Sequence, residues 1–537
     1  MKTKLFLGVL TLMLFVISCN SDGGKNSKFE VQDLMMTIDK TAVADSASSP
    51  AGTNTDYNTE EYGNIVENDF LAAKENPLST FSIDVDHAAY SNIRRFIREG
   101  SLPPNGAVRI EEMVNYFDYD YAPPQNDDPF AVHTEISSCP WNEKHRLVHI
   151  GLKGKEIVKD KLPPANLVFL IDVSGSMDEP NKLPLVKSSL NMLTDQLREE
   201  DKVAIVVYAG AAGLVLPPTH GNEKTKIKDA INNLGAGGST AGAEGIKLAY
   251  EIARKNFVTD GNNRVILATD GDFNLGVSSD DELVNLIEKE RKNNVFLTVL
   301  GFGMGNYKDS KMQQLADKGN GNHAYIDNEN EAKKELVKEF GSTLFTIAKD
   351  VKLQVEFNPA KVQAYRLIGY ENRMLKKEDF NNDAKDAGEM GAGHCVTALY
   401  EVIPVGVKDE FVTKVDALKY QAQLTNNSNS STDEIMTIKL RYKKPDEETS
   451  KLIVQPVVDD HTALMSTSDN FRFSAAVAAF GMVLRNSAYK SNASYKSIIQ
   501  LAELARGTDK DGYRDEFIEL VNEAARLTKK DETVAQK

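Results

Sequence analysis

The chain has 537 residues, 41% hydrophobic and 26% charged, so at roughly 100–200 residues per domain it predicts about three or four globular domains. Its 79 Asp and Glu outnumber its 63 Lys and Arg, and a formal charge of −16 without a basic run excludes a broad nucleic-acid surface, which needs clustered positive charge. Three cysteines with no CxxC or Cys/His spacing exclude a disulfide-stapled scaffold and a zinc module.

Lys2 and Lys4 precede an apolar run from Leu5 to Ile17. That is the length of a signal-peptide core, too short for a mature membrane span. The run ends at Val16-Ile17-Ser18-Cys19, which resembles a bacterial lipobox. The resemblance implies a signal peptide over 1–18 and diacylglycerol on the Cys19 thiol. It implies a chain lipid-anchored in the cell envelope, at the outer membrane if the organism is Gram-negative. Losing residues 1–18 removes two lysines and takes the formal charge to −18. No later stretch approaches roughly 18 consecutive apolar residues, so the rest is expected to be exported and water-soluble. Residues 19–75 are rich in Ser, Asn, Asp, Thr and Gly and are expected to be a flexible tether.

Order is expected to begin near Asn76, opening an N-terminal segment over 76–128. Phe81 to Asp86 alternates as a half-buried strand, with Asp84 and Asp86 on one solvated face. Helices are predicted over 88–99 and 110–117, then a Pro/Asp-rich boundary over 119–128. From Phe130 the period becomes that of strands. Residues 129–165 and 350–460 are expected to form one β-rich domain, with 166–348 inserted in it. Cys139 and Cys395 sit in its two parts. In an oxidising envelope they could form a disulfide, or they stay two separate buried thiols.

Residues 166–348 alternate strand and helix. The unbroken run Leu167–Ile171 reads as a buried parallel strand. Further strands are predicted at 203–208, 265–269, 295–300 and 323–326, with 214–216 returning beside 203–208 as a hairpin. Helices fall near 183–198, 224–234, 243–257, 280–292, 309–318 and 330–347. The pattern predicts a parallel sheet with helices on both faces. The tail over 469–530 is helical, with Phe473, Val477, Phe480 and Leu484 in one stripe.

Asp172-Val173-Ser174-Gly175-Ser176 follows the buried strand directly. In a doubly wound sheet, the loops at the carboxyl ends of the strands form the binding crevice. Gly237-Gly238-Ser239-Thr240 and Thr269-Asp270-Gly271-Asp272 are predicted to reach the same edge. Each motif alone reads as an ordinary turn or helix cap. Together, and in this order, they resemble the metal-ion-dependent adhesion site of a von Willebrand factor type A (vWA) domain over 166–348. FSIDVDHAAYSNIRRFI and RIEEMVNYFDYDY upstream, DGDFN at 270–274 and GHCVTALYEV at 393–402 resemble the YfbK-like group of bacterial vWA lipoproteins.

The resemblance implies an α/β fold, a doubly wound, mostly parallel sheet inserted in or flanked by a β-rich domain, with helical segments at both ends. It implies Mg²⁺, with Mn²⁺ or Ca²⁺ in its place, bound directly by the hydroxyls of Ser174, Ser176 and Thr240. Asp172 and Asp270 would act largely through water. Mg²⁺ takes octahedral oxygen and gives up water reluctantly, so a site with few direct carboxylates leaves it electrophilic. Its open position would take an Asp or Glu from a partner protein. The expected function is thus a non-enzymatic, metal-dependent protein–protein contact at the envelope, with no small-molecule cofactor.

A structural scaffold whose metal orders loops is the alternative, and a metal-dependent phosphohydrolase a minor one. The latter lacks parts: the loops offer no His or Lys at a telling position, and there is no GxSxG elbow. Asp272 reads equally as a turn residue or as support for the metal loop. Asp509, Asp511 and Glu516 resemble half an EF-hand loop but lack its middle ligand, so helix capping is expected there.

Overall fold

The computed structural model describes residues 59–157, 161–240, 242–271, 280–339, 345–412 and 432–535. The signal segment, Cys19, Asp272 and most of the expected tether lie outside these residues. The described part of that tether, 59–75, is packed against the fold. Thr59 N donates to Gly305 O at 2.7 Å and Glu61 N to Tyr307 O at 3.0 Å. Strand β1 (Leu71–Ala72) adds to a sheet. The polar composition misled because this stretch is held by backbone hydrogen bonds and ion pairs, which hydropathy does not register.

Strand β2 (Leu78–Ser82) ends before the predicted alternation does. Asp84 and Asp86 leave the strand to bind Arg373, at 3.1 and 2.9 Å, and Asp317 binds the same guanidinium at 2.9 Å. Asp86 is 1% exposed and also accepts from His323 N at 2.8 Å. The expected solvated strand edge is therefore an interior ionic junction. Helices α1 (Ala88–Arg98) and α2 (Ile110–Asn115) follow, then the hairpin of β3 (Phe130–Cys139) and β4 (Asn142–Gly154).

The chain then builds β5 (Ala165–Asp172), α3 (Leu183–Gln196), β6 (Lys202–Tyr208), β7 (Ala212–His220), α4 (Lys224–Asn232), α5 (Gly242–Lys255) and β8 (Asn262–Thr269). It continues through α6 (Asp280–Lys292), β9 (Val295–Phe302), α7 (Asp309–Lys318), β10 (His323–Ile326) and α8 (Glu329–Lys333). The sheet order is β10-β9-β8-β5-β6-β7, parallel except for the hairpin edge β7. Every position of β5 and β8 is buried, because helices cover both faces. Leu167, Phe169 and Ile171 pack with α3 and α4, while Val168 and Leu170 pack with α5, α6 and α7. Each such buried side chain contributes about 1.5–3 kcal/mol. The predicted long helix over 330–347 is shorter. After α8 the chain widens into a π turn, Lys334–Lys338. There Lys334 pairs with Glu339 at 3.3 Å and Glu335 with His87 at 3.1 Å, tertiary contacts invisible to helical periodicity.

Strands β11 (Thr346–Phe357), β12 (Val362–Ile368), β13 (Gly388–Gly391), β14 (Cys395–Pro404), β15 (Glu434–Lys443) and β16 (Lys451–Val458) complete two further sheets. One runs β1-β12-β14-β4-β3; the other runs β13-β11-β15-β16, with β2 also on β11. Their inner faces, including Ile150, Tyr400 and Val402 opposite Leu353, Val355 and Ile438, share one core. β4 pairs with β14, so strands before and after the β5–β10 region lie side by side.

That pairing also resolves the cysteines, which are both free. Cys395 pairs with Lys153 near one end of β4, and Cys139 with Asn142 at the other. Eleven residues of strand separate those levels by roughly 35 Å, whereas a disulfide needs Cα atoms within about 7 Å. Of the two arrangements open to Cys139 and Cys395, the disulfide is excluded and they remain separate thiols.

Helices α9 (Asp469–Leu484), α10 (Tyr495–Leu504) and α11 (Tyr513–Ala535) cover the outer face of the first sheet together with α1 and α2. α9 is buried nearly all round, not along one stripe, because sheet, α2 and α10 enclose it. Gly481 permits the α2 approach: a Cβ there would lie 2.8 Å from Ile110. Asp509 caps α11, accepting from Arg514 N at 3.2 Å and Asp515 N at 2.8 Å, the helix-end role expected of it.

Candidate metal centre

The site forms where the winding of the sheet reverses. From β5 the chain goes to β6 on one side and later to β8 on the other, and the carboxyl ends of β5 and β8 lie together. Asp172 is the last residue of β5 and Asp270 follows β8; both are fully buried.

Asp172 Oδ1 accepts from Ser174 N at 2.9 Å, a local turn that sets the direction of the next residues. Its Oδ2 lies 3.5 Å from Thr269 Oγ1, and Tyr208 is its register partner on β6. Ser174 and Ser176 then face one another, their Oγ atoms 3.1 Å apart, with Ser174 buried and Ser176 exposed. The pair thus links the interior carboxylates to the surface.

The loop bearing Thr240 docks onto this turn. Gly175 N donates to Gly238 O at 3.0 Å, and Gly237 N donates to Val173 O at 2.8 Å. Gly238 has φ +84°, a left-handed turn that favours glycine, and it leads to a half-buried Thr240. Gly271, at φ +94°, lets the Asp270 loop pass against Tyr307 and Lys308, where a Cβ would sit 2.8 Å from backbone atoms. Asp172, Ser174, Ser176 and Asp270 come to this one edge, and Thr240 follows the Gly237–Gly238 turn that docks onto it.

Two further residues define the site. Lys182 Nζ lies 3.2 Å from Asp270 Oδ2, and Asn306 Nδ2 donates to the same oxygen at 3.2 Å. Lys182 corrects the reading that no lysine stands at a telling position. It precedes α3 and lies ten positions beyond Asp172, so only the β5–β8 adjacency brings it to Asp270. Asn306 follows β9 and carries no motif. The one sequence signal for Lys182 is its place against the apolar start of α3.

Burial pushes the Asp172 carboxyl up to about 6; the hydrogen bonds from Ser174 oppose the rise and the charge of Asp270 adds to it. A carboxylate held this way is relieved by a nearby cation. Asn306 Oδ1 is a buried oxygen with no hydrogen-bond partner among the described residues. Two carboxylates, paired hydroxyls and a spare amide oxygen make an all-oxygen set suited to a hard divalent cation. Among the described residues, no cluster of three or more His, Cys, Asp or Glu has metal-holding geometry. Arg373 engages Asp84 and Asp86, Lys338 pairs with Asp511, and Arg94 and Arg98 pair with Glu516. His394 stacks on His87 at 6.0 Å, with burial pushing its imidazole down to about 4.

The β5–β10 region, with this site at its carboxyl edge, defines a vWA-type α/β fold. The von Willebrand factor type A domain model matches residues 166–339, a von Willebrand factor model matches 56–149, and the model of the YfbK C-terminal region, itself described as uncharacterised, matches 342–527. The uncharacterised protein YfbK of Escherichia coli strain K12 is 43% identical over 477 residues, covering 88% of this chain and 82% of that protein. The chain therefore belongs to the YfbK family of vWA-domain proteins. The uncharacterised protein sll0103 of Synechocystis is 30% identical over 187 residues, 35% of this chain and 43% of that one. A solved von Willebrand factor type A structure from Catenulispora acidiphila covers 73% of this chain and 89% of its own, at 16% identity and TM-score 0.39. A vWA domain suggests a protein–protein interaction or scaffold role.

Proposed function

We propose that the chain captures a partner protein through a divalent cation, Mg²⁺ or, in its place, Mn²⁺ or Ca²⁺, held by Asp172, Ser174, Ser176, Thr240 and Asp270. The observation that carries this reading is the graded site: buried Asp172 and Asp270 beneath a Ser174–Ser176 hydroxyl pair that opens to the surface. Cis oxygens on an octahedron with bonds of about 2.0–2.1 Å lie about 2.9 Å apart, close to the 3.1 Å between these hydroxyls. The exposed side of such a cation is available to an Asp or Glu of the partner. The hydrogen bonds of Gly175 and Gly237 already seat the Thr240 loop, which favours ligand capture over a scaffold role in which metal orders loops. Cys19 would carry the lipid that keeps the module at the cell-envelope membrane.

Calorimetric titration of Mg²⁺ into the detergent-solubilised, metal-stripped full chain tests the site. Wild type is expected to bind one Mg²⁺, and Asp172→Ala to bind none while keeping its circular dichroism spectrum. Equal binding by both would refute the assignment. Mass spectrometry of the mature N-terminal peptide tests the lipid on Cys19.

A further inference from the structure

Lys182 is 3% exposed, an unusual position for a lysine without a dedicated partner. Its aliphatic stem lies across Gly303, where a Cβ would fall 2.4–2.9 Å from three of its carbons. Gly303 has φ +71°, so the end of β9 turns in a conformation that leaves room for that stem. The stem thus carries the ammonium inward to Asp270 Oδ2. The other acidic neighbour, Glu179, is 3.8 Å away and largely exposed, a weak surface contact. Among the described residues, the buried partner of Lys182 is Asp270.

Formal charges then decide what the site can hold. Among the described residues, the buried charges of the site are Asp172 and Asp270, two negative, and Lys182, one positive, leaving one negative. A divalent cation brings the site to one positive, and an incoming carboxylate brings it to neutrality. Without Lys182, two carboxylates and a divalent cation would already be neutral, with weaker pull on a third carboxylate. Inside a poorly solvated site, charge differences of this kind act strongly at short range.

We propose that Lys182 is a built-in counter-cation that weakens binding of the metal alone and strengthens capture of a carboxylate once the metal is present. Metal and acidic partner would then bind cooperatively, with affinity withheld until both arrive. This rests on the cation site proposed above.

The test uses the full chain in detergent, metal-stripped, with wild type, Lys182→Met, Lys182→Gln and Asp270→Asn. Mg²⁺ alone is titrated by calorimetry, in chloride and in acetate of matched ionic strength, acetate serving as the carboxylate probe. Lys182→Met keeps the stem on Gly303 and is expected to bind Mg²⁺ roughly tenfold or more tightly than wild type. Acetate is expected to enhance Mg²⁺ binding in wild type more than in either Lys182 variant. The Mg²⁺-induced rise in melting temperature, compared within each variant, gives the same answer should a substitution lower the starting stability. If wild type binds Mg²⁺, Asp270→Asn does not, and both Lys182 variants match wild type, the role of Lys182 falls while the cation site stands. If no variant binds Mg²⁺, both readings fall.

Discussion

Arg109 and Asp309 form a buried ion pair across the molecule, both guanidinium Nη atoms reaching the carboxylate, with side chains 4% and 1% exposed. Arg109 precedes α2 and Asp309 opens α7, so the contact joins the N-terminal segment to the vWA sheet. Glu112 holds the same guanidinium. Removing one partner of a buried pair leaves an uncompensated charge, at a cost of about 3–5 kcal/mol, here eased by Glu112. Asp309→Ala is expected to lower unfolding free energy by about 3 kcal/mol in urea titration. A loss below about 1 kcal/mol would show that Glu112 alone satisfies Arg109.

The metal-free site should make stability depend on pH in a defined direction. Asp172 titrates near 6 when folded, against 3.8 for the unperturbed group, so the folded state holds its proton more tightly. Stability from this group is fully present below about pH 4 and is lost as pH rises through about 6, by roughly 3 kcal/mol at most. Other buried carboxyls, Glu111 and Glu331 among them, are pushed up to about 7 chiefly by burial and add to the same trend. The difference between wild type and Asp172→Asn isolates the site. In chelator, wild type should lose more stability than Asp172→Asn between pH 4 and pH 7, measured by chemical denaturation at each pH. Parallel profiles would sink the idea.

Both thiols should be inert in the folded chain. Burial pushes Cys139 well above the usual thiol range and Cys395 up to about 11, leaving little thiolate to react. A disulfide-exchange reagent is expected to modify them only on unfolding, and reductant should leave the melting temperature unchanged. Rapid labelling of Cys139 or Cys395 in the native protein would contradict their burial, and a reductant-dependent melt would contradict two separate thiols.

The vWA core was legible because it obeys local rules. Leu167–Ile171 reads as a buried strand without knowledge of its neighbours, and the Asp172 and Asp270 motifs sit at the strand ends where a doubly wound sheet gathers its loops, with Thr240 in the loop before α5. What escaped depends on contacts distant in sequence. Asp84 and Asp86 have strand spacing, yet Arg373 claims them from nearly 290 positions away. Lys182 has only its place before the apolar start of α3 to mark it until β5 and β8 are adjacent. Residues 59–62 have tether composition because backbone hydrogen bonds carry no hydropathic signature.

That N-terminal strap bears directly on the candidate site. Glu60 Oε1 accepts from Gly305 N at 2.8 Å, and its Oε2 accepts from Arg95 at 2.8 Å. With Thr59 N on Gly305 O and Asp309 N on Glu61 O, the strap fixes both ends of the turn that holds Asn306 against Asp270. Hydrogen bonds to a charged group contribute about 1.5–3 kcal/mol, so Glu60→Ala should ease opening of this turn by a comparable amount. Amide exchange at Gly305 and Asp309 is expected to quicken by roughly tenfold or more, with little change at Leu167 or Val168 in the sheet centre. Mg²⁺ affinity should fall several-fold as Asn306 loosens, without loss of the bound stoichiometry. Unchanged exchange at Gly305 would mean that the turn keeps its shape without the strap. Unchanged Mg²⁺ affinity with faster exchange would separate strap from site, leaving Lys182 as the main support of Asp270.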